Sequence, residues 1–184
     1  MNSNTLIDIP GAEAAGEIVG TDSNDTPHLV FEVDSEPYAC PINKIQHLAR
    51  FIDVSLQPSP AGHPAWEVGR LVTETDAEGI PVVSLRALWG LPRLLETANQ
   101  ARQAILIVTI SGREHVLLVD NCRCVLPQLP SSRTRFHLSS ALQSASGRSF
   151  KLATPWEHSL LVVLELDKLL GAAPQSVSAP LPDK

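Results

Sequence analysis

The chain has 184 residues, a net charge of -6 at pH 7, and 43% hydrophobic against 18% charged residues. This composition is typical of a globular protein and excludes disorder along the whole chain, and the acidic balance argues against a nucleic-acid partner. No apolar run approaches the ~20 residues that cross a bilayer, and no secretory signal is visible, so we expect no membrane insertion. Three cysteines are too few for a disulfide framework, which favours reduced thiols and a cytoplasmic protein.

Both ends of the chain are predicted to lie outside the folded domain. Residues 1–27 are rich in Asn, Asp, Ser, Gly and Ala and are expected to form a flexible arm, in which residues 6–9 could add an edge strand. Residues 172–184 contain three prolines among small residues and are expected to be a disordered tail. The folded domain is therefore predicted over residues 28–171.

The folded part begins with a predicted β-hairpin. Residues 29–33 are apolar and β-prone, residues 34–36 form a polar turn, and residues 37–42 return as a second strand. The next residues, 43–48, fit one helical turn or an extended strand, and the sequence does not choose between them.

A proline-rich crossing at residues 58–64 leads to a second group of elements. Strands are predicted at residues 69–73 and 80–83. Ser84 is expected to cap a short helix over residues 85–89, which Gly90 and Pro92 end.

The second half of the chain repeats this order about 80 residues further on. A hairpin is predicted from residues 105–110 and 115–120, followed much later by a strand at 160–164 and a helix at 166–170. The repeat predicts two similar β-subdomains. Because the hairpin strands are almost continuously apolar, they are expected to be buried on both faces, as where two small barrels share a seam.

The sequence contains no motif of catalysis or phosphate binding, so we predict no enzyme activity, no cofactor and no catalytic residue. Cys122 and Cys124 form a C-x-C pair, and Cys40 and six scattered histidines do not complete a zinc pattern. Cys122 and Cys124 are instead predicted to face one side of a strand and pack as small apolar groups. A small thiol or metal enzyme using Cys122 and Cys124 is the alternative of another class.

The three tryptophans are the remaining large side chains of interest. Trp66, Trp89 and Trp156 are each predicted to be partly buried core residues. Binding hot spots are the alternative, because large aromatic residues dominate protein interfaces where these exist.

Four segments in the same order resemble the CheW-like domain of bacterial chemosensory systems. These segments are residues 31–48, 80–90, 105–126 and 160–170. Tyr38, in the first, stands where the family often has a tyrosine after the first turn. The resemblance covers residues 29 to 170 and identifies the chain as a divergent member.

The resemblance implies a mainly β fold of two intertwined five-stranded SH3-like β-barrels with short helices. It also implies a non-enzymatic adaptor that binds a chemoreceptor cytoplasmic tip in the groove between the barrels. A CheA-like histidine kinase would bind through its regulatory domain at the barrel ends. By the same resemblance Ile45 lines the groove, Gly69 lies at its mouth and Val116 lies nearby. The residue types alone do not require a groove. Ile45 and Val116 could equally be core residues, and Gly69 could equally mark a bulge or turn.

One departure from the family affects the expected partners. The family usually carries an Asn-Leu-Arg-Gly turn whose arginine is tied to signalling, whereas residues 73–79 are acidic and the turn is longer. The alternative is therefore a degenerate domain that binds the kinase but not receptors. The departure also suits a divergent member at a type IV pilus or other non-flagellar array.

Overall fold

The computed structural model of the chain describes residues 7–8, 26–73, 77–92, 100–130 and 150–171. The predicted tail and most of the predicted arm lie outside the described residues, so the bounds of the folded domain stay a prediction. The expected edge strand in the arm is confirmed, because Ile7–Asp8 pairs antiparallel with His47 and Leu48.

The described part of the chain is mainly β, as predicted. Its helices are α1 (Leu85–Leu88) and α2 (Leu166–Gly171), and 3-10 turns occupy Ile42–Lys44 and Phe51–Asp53. Residues 43–48, which the sequence left open, contain both alternatives, because a 3-10 turn passes directly into a strand. The strands are β1 (Ile7–Asp8), β2 (His28–Val33), β3 (Glu36–Pro41), β4 (Ile45–Arg50), β5 (Glu67–Leu71), β6 (Ile80–Ser84), β7 (Ala104–Ile110), β8 (Arg113–Val119), β9 (Asn121–Leu126), β10 (Phe150–Trp156) and β11 (Ser159–Leu164).

The strands form two sheets whose five-stranded cores have the same order. Sheet 1 runs β1-β4-β7-β8-β6-β5, with β1 as the added edge strand, and sheet 2 runs β9-β2-β3-β11-β10. The first half of the chain (residues 26–92) places its opening hairpin, β2–β3, in sheet 2, and the second half (residues 100–171) places β7–β8 in sheet 1. Every pair of core strands that is not a hairpin therefore joins the two halves.

The two sheets repeat one register as well as one strand order. In sheet 1, Val82 of β6 lies opposite Val116 of β8 in a parallel pair. In sheet 2, the equivalent residue Val163 of β11 lies opposite Ala39 of β3, again in parallel. This agreement confirms the predicted internal repeat and the pair of similar subdomains, subdomain 1 on sheet 1 and subdomain 2 on sheet 2.

The central strands are buried on both faces, as their continuous apolar sequences predict. Along β7, Leu106 and Val108 enter a core shared by both sheets, whereas Ile105 and Ile107 enter the core of subdomain 1. The shared core is called the seam here, and it also receives side chains from β2, β3, β4, β6, β8, β11, α1 and α2. A separate small core fills subdomain 2.

Each sheet curls so that its two outer strands approach each other. In sheet 1, the segment after β4 reaches β5 on the opposite edge, where Gln57 and Arg70 exchange two backbone hydrogen bonds of 2.9 and 2.8 Å. In sheet 2, Thr154 Oγ1 of β10 donates to the carbonyl oxygen of Pro130, just after β9, at 3.4 Å. The result is two small barrel-like subdomains, which agrees with the fold that the resemblance implies.

A buried arginine fastens the two subdomains at one end of the seam. Arg86 of α1 donates to Asp120 Oδ2 at 2.6 Å and to Asp34 Oδ1 at 3.1 Å. Asp34 lies in the β2–β3 turn of sheet 2, and Asp120 lies where the chain passes from β8 to β9. The Arg86 side chain is 8% exposed. Burial alone would lower the pKa of Arg86, but its contacts with Asp120 and then Asp34 outweigh burial and raise that pKa.

Local sequence signals position this clamp. Ser84 caps α1 as predicted, because its Oγ accepts a hydrogen bond from the Ala87 N–H at 3.3 Å. Asp34 and Ser35 form a two-residue turn with φ values of 57° and 66°, a conformation in which Asp is among the better tolerated residues. The Asp34 N–H then donates to Asp120 Oδ2 at 2.7 Å.

Replacing Arg86 by Met should lower the free energy of unfolding by about 3 kcal/mol, because Asp120 loses its buried partner. Lys44→Met is the control. Lys44 and Asp167 form the corresponding pair between the β3–β4 connection and α2 at 3.5 Å, but their side chains are 38% and 57% exposed. The control should lose no more than about 0.5 kcal/mol. Urea denaturation at neutral pH measures both, and equal losses would contradict the clamp.

Candidate protein-binding site

The three predicted groove residues all lie in sheet 1, and two of them lie in one row across it. Val116 of β8 and Gly69 of β5 lie opposite Val82 of β6, one on each side. Ile45 opens β4 and lies opposite Val108, one residue beyond the β7 residue that faces Val116. The structure therefore brings Gly69 and Val116 together and places Ile45 towards the other edge of the sheet.

All three of these positions are buried within the chain. Ile45 is 3% exposed and lies in the seam, and Val116 is 0% exposed and lies in the core of subdomain 1. Gly69 directly follows a bulge in β5, and a bulge or turn was the alternative explanation for this glycine in the sequence. Their role in a groove stays a prediction, because these residues support the surface of sheet 1 from within.

Gly69 allows the segment after β4 to lie close against β5. A Cβ atom at this position would stand 3.0 Å from the Gln57 carbonyl oxygen and 3.1 Å from Leu56 Cβ. The nearer contact is to backbone, which cannot move aside as the end of a flexible side chain can. The curl of sheet 1 therefore depends on the missing side chain at Gly69.

Large apolar side chains are exposed at four places in the described part of the chain: Ile52, Val72, Val125 and Leu160. The internal repeat separates Leu160 from the residue that follows it. Leu161 of β11 is the equivalent of Ile80 in β6 and is buried, whereas Leu160, which takes the place of Gly79, is 47% exposed. Leu160 therefore adds an apolar side chain to the surface of subdomain 2. The sequence alone does not distinguish the two leucines, because both open a continuous apolar strand.

The end of the β10–β11 hairpin combines apolar and charged side chains. Pro155 lies opposite Leu160 and is exposed, and Trp156 is half-buried against the core of subdomain 2. The Arg123 guanidinium lies 5.0 Å from the Trp156 ring centre and 3.2 Å from Glu157 Oε2. These residues, Pro155, Trp156, Glu157 and Leu160, are called the hairpin surface here. An apolar centre with a polar rim is typical of protein interfaces.

The aromatic side chains serve mainly the core. Trp66 and Trp89 are partly buried against the seam, and Trp156 against subdomain 2, which confirms the prediction for all three. Tyr38 is 5% exposed and its ring centre lies 4.8 Å from that of Trp89. This contact joins β3 of sheet 2 to the C-terminal end of α1 in subdomain 1. Tyr38, which the resemblance singled out, therefore has a packing role between the subdomains.

A small polar pocket adjoins the arginine clamp. Its volume is about 170 Å³, and most of its charged groups already have partners within the chain. Glu32 Oε2, for example, accepts a hydrogen bond from the Asn121 side chain at 3.0 Å. The pocket therefore belongs to the contact between the subdomains. It is lined by Glu32, Asp34, Ser35, Arg86, Arg102, Asp120 and Asn121.

The prediction that Cys122 and Cys124 both pack as small apolar groups is wrong for Cys124. Cys122 lies opposite Phe31 and Cys124 opposite Val30, so Arg123 is the extra residue of a bulge. The bulge breaks the two-residue period on which the prediction relied. Cys122 packs against the seam and burial raises its pKa to about 12, whereas Cys124 is exposed.

No described group of three or more His, Cys, Asp or Glu side chains is arranged to hold a metal ion. Cys40 is buried, and burial raises its pKa far above the ordinary thiol range. Of the helices in the described ranges, none has the length and apolar content to cross a membrane.

The sequence matches the family model of the CheW-like domain over residues 27–174. This chain belongs to the CheW-like domain family. A solved structure of the scaffolding protein TtCheW from Thermoanaerobacter tengcongensis is similar to this CheW-like domain. The two are 20% identical with a TM-score of 0.58, over 79% of this chain and 92% of that chain. No curated protein matches in sequence. The structural likeness confirms the fold class that the four sequence segments predicted.

Replacing Gly69 by Ala should lower the free energy of unfolding by about 2 kcal/mol, because the new methyl group meets the Gln57 carbonyl. The control is Gly112→Ala in the β7–β8 turn, where φ is 74° but no atom lies within 4 Å of a new Cβ. Backbone strain alone should cost the control about 1 kcal/mol. Urea denaturation compares the two, and a smaller loss for Gly69→Ala would refute the close approach.

Proposed function

We propose that this CheW-like domain is a non-enzymatic adaptor that couples chemoreceptors to a CheA-type histidine kinase. Membership of the family and similarity to the structure of a scaffolding protein support this role. In this proposal the chain works in the cytoplasm at membrane-associated receptor arrays. Its divergent turn suits a type IV pilus or other non-flagellar array.

The regulatory domain of the kinase is proposed to dock on the hairpin surface of subdomain 2. The exposure of Leu160 is the observation that carries this assignment. Its side chain is 47% exposed, and covering it by a partner would contribute on the order of 1 kcal/mol. Arg123 and Glu157 border the apolar centre with opposite charges, which favours a defined orientation of the partner.

The receptor tip is proposed to bind at sheet 1, over Ile45, Gly69 and Val116. The cross-strand register supports this role for Gly69 and Val116, since it aligns these two residues on either side of Val82, and it places Ile45 in the same sheet. Because these residues are buried, they would act by fixing the shape of the groove rather than by direct contact.

A second candidate is an adaptor that binds the kinase but not receptors. The contacts of Arg70 favour it. Arg70 precedes the acidic turn and donates to Glu67 Oε1 at 3.2 Å and to the Glu78 carbonyl oxygen at 3.0 Å. With its side chain committed in this way, Arg70 does not replace the family's turn arginine at the surface.

Leu160→Lys should weaken binding to the kinase regulatory domain at least about tenfold, because an apolar hot spot becomes a buried charge. Ile52→Lys is the matched control, since Ile52 is also exposed, at 55%, but lies in the 3-10 turn after β4, in subdomain 1. Isothermal titration calorimetry with the kinase from the same genome measures both. Failure of the wild-type chain to bind any such kinase would refute the adaptor, and equal loss in both variants would refute the hairpin surface.

Replacing the acidic turn at residues 73–79 by Asn-Leu-Arg-Gly distinguishes the two candidates. If the natural chain binds only the kinase, the substitution should create receptor-dependent kinase activation by supplying the missing guanidinium. Kinase autophosphorylation with reconstituted receptor and adaptor measures this. Receptor coupling already present in the natural chain would exclude the second candidate.

A further inference from the structure

The loops on either side of β5 converge on one buried carboxylate. The Glu67 side chain is 0% exposed, and His63 Nδ1 donates to Glu67 Oε2 at 2.6 Å. His63 belongs to the proline-rich loop at residues 58–66, which precedes β5. Arg70 Nε donates to Glu67 Oε1 at 3.2 Å, and Arg70 Nη1 donates to the carbonyl oxygen of Glu78, in the turn that follows β5.

Electrostatics favours the ionised form of this carboxylate. Burial alone would raise the pKa of Glu67, but hydrogen bonds from His63 and Arg70 outweigh burial and lower it. His63 and Arg70 are the charged or titratable side chains that contact it among the described residues, and the strand beside it, β6, presents Val83. The stabilisation is therefore complete at neutral pH and is lost only as the pH falls through the lowered pKa.

We propose that Glu67 is a latch whose negative charge holds the 58–66 loop and the 77–79 turn onto β5, and that loss of this charge releases both together. The position of β5 itself does not depend on the latch. The backbone of Arg70 exchanges two hydrogen bonds with Gln57, and β5 pairs with β6 along its length.

Release of the latch alters one end of subdomain 1. A Cβ atom at Gly79 would lie 3.2 Å from both Arg70 Cβ and Val72 Cγ2, so the turn packs directly on β5 beside the exposed Val72. The hairpin surface around Leu160 belongs to subdomain 2. The latch therefore stands independently of the proposed kinase docking site.

Hydrogen exchange of the full chain tests the latch, with rates corrected for intrinsic chemistry between about pH 7 and about pH 3. Glu67→Gln should lower protection in both loops at least about tenfold at neutral pH, while β7 stays protected. The wild type should lose the same protection only in acid, and Glu67→Gln should show no such step. Asp53→Asn is the matched control, because Arg50 and Asp53 form an i,i+3 pair in the same subdomain whose side chains are 66% and 33% exposed.

Unchanged protection in Glu67→Gln, loss in only one loop, or the same pH profile in both proteins would overturn the latch. If Glu67→Gln unfolds β7 as well, His63→Gln decides. That variant removes one donor only, so it should loosen the 58–66 loop and leave the 77–79 turn protected. No change in the 58–66 loop of His63→Gln would equally overturn the proposal.

Discussion

The fold depends on four central strands that are buried on both faces. β2, β3, β7 and β8 each send alternate side chains into the seam and into the core of one subdomain. The opening hairpin of each half pairs with strands of the other half, so neither half of the chain contains all the strands of one sheet. Hydrophobic burial in the seam and strand pairing between the halves therefore form together, when the two halves of the chain come into contact.

This arrangement limits where the chain can bind other proteins. The faces of the central strands are used inside the molecule, so the free surfaces are the ends of the subdomains and the outer hairpins. Polar contacts are concentrated at the same places: Arg86 where the subdomains meet, Glu67 beside β5, and Arg123 over Trp156. Each of them holds a loop or hairpin end in position, which suits a protein whose role is to present fixed surfaces.

The sequence predicted the features that depend on local pattern. Alternating apolar and polar residues and continuous apolar runs predicted the hairpins. Ser84 predicted the start of its helix, and the internal repeat predicted two similar subdomains. β10 was not predicted, since its run from Phe150 to Trp156 includes a lysine, a threonine and a proline and buries only its middle residues. The exchange of hairpins could not be derived from one sequence, because local pattern does not specify which half a strand will pair with.

The candidate site was less accessible to prediction than the fold. The resemblance indicated Ile45, Gly69 and Val116, and the alignment of Gly69 with Val116 emerged only from the structure. The exposure of Leu160 depends on what the rest of subdomain 2 leaves uncovered, which aliphatic composition does not encode. The bulge at Arg123 similarly reversed the environment of Cys124, because one extra residue shifts the side-chain alternation.

The exchange of hairpins also has a consequence during synthesis on the ribosome. When the first half has emerged, β2–β3 and β5–β6 are isolated hairpins whose apolar faces have no sheet to join, and isolated hairpins are marginal in water. Long-range pairing of this kind makes folding slow. The strand edges of the nascent first half therefore remain unpaired and prone to aggregation until the second half is available. Assembly of both sheets must therefore follow translation of the second half.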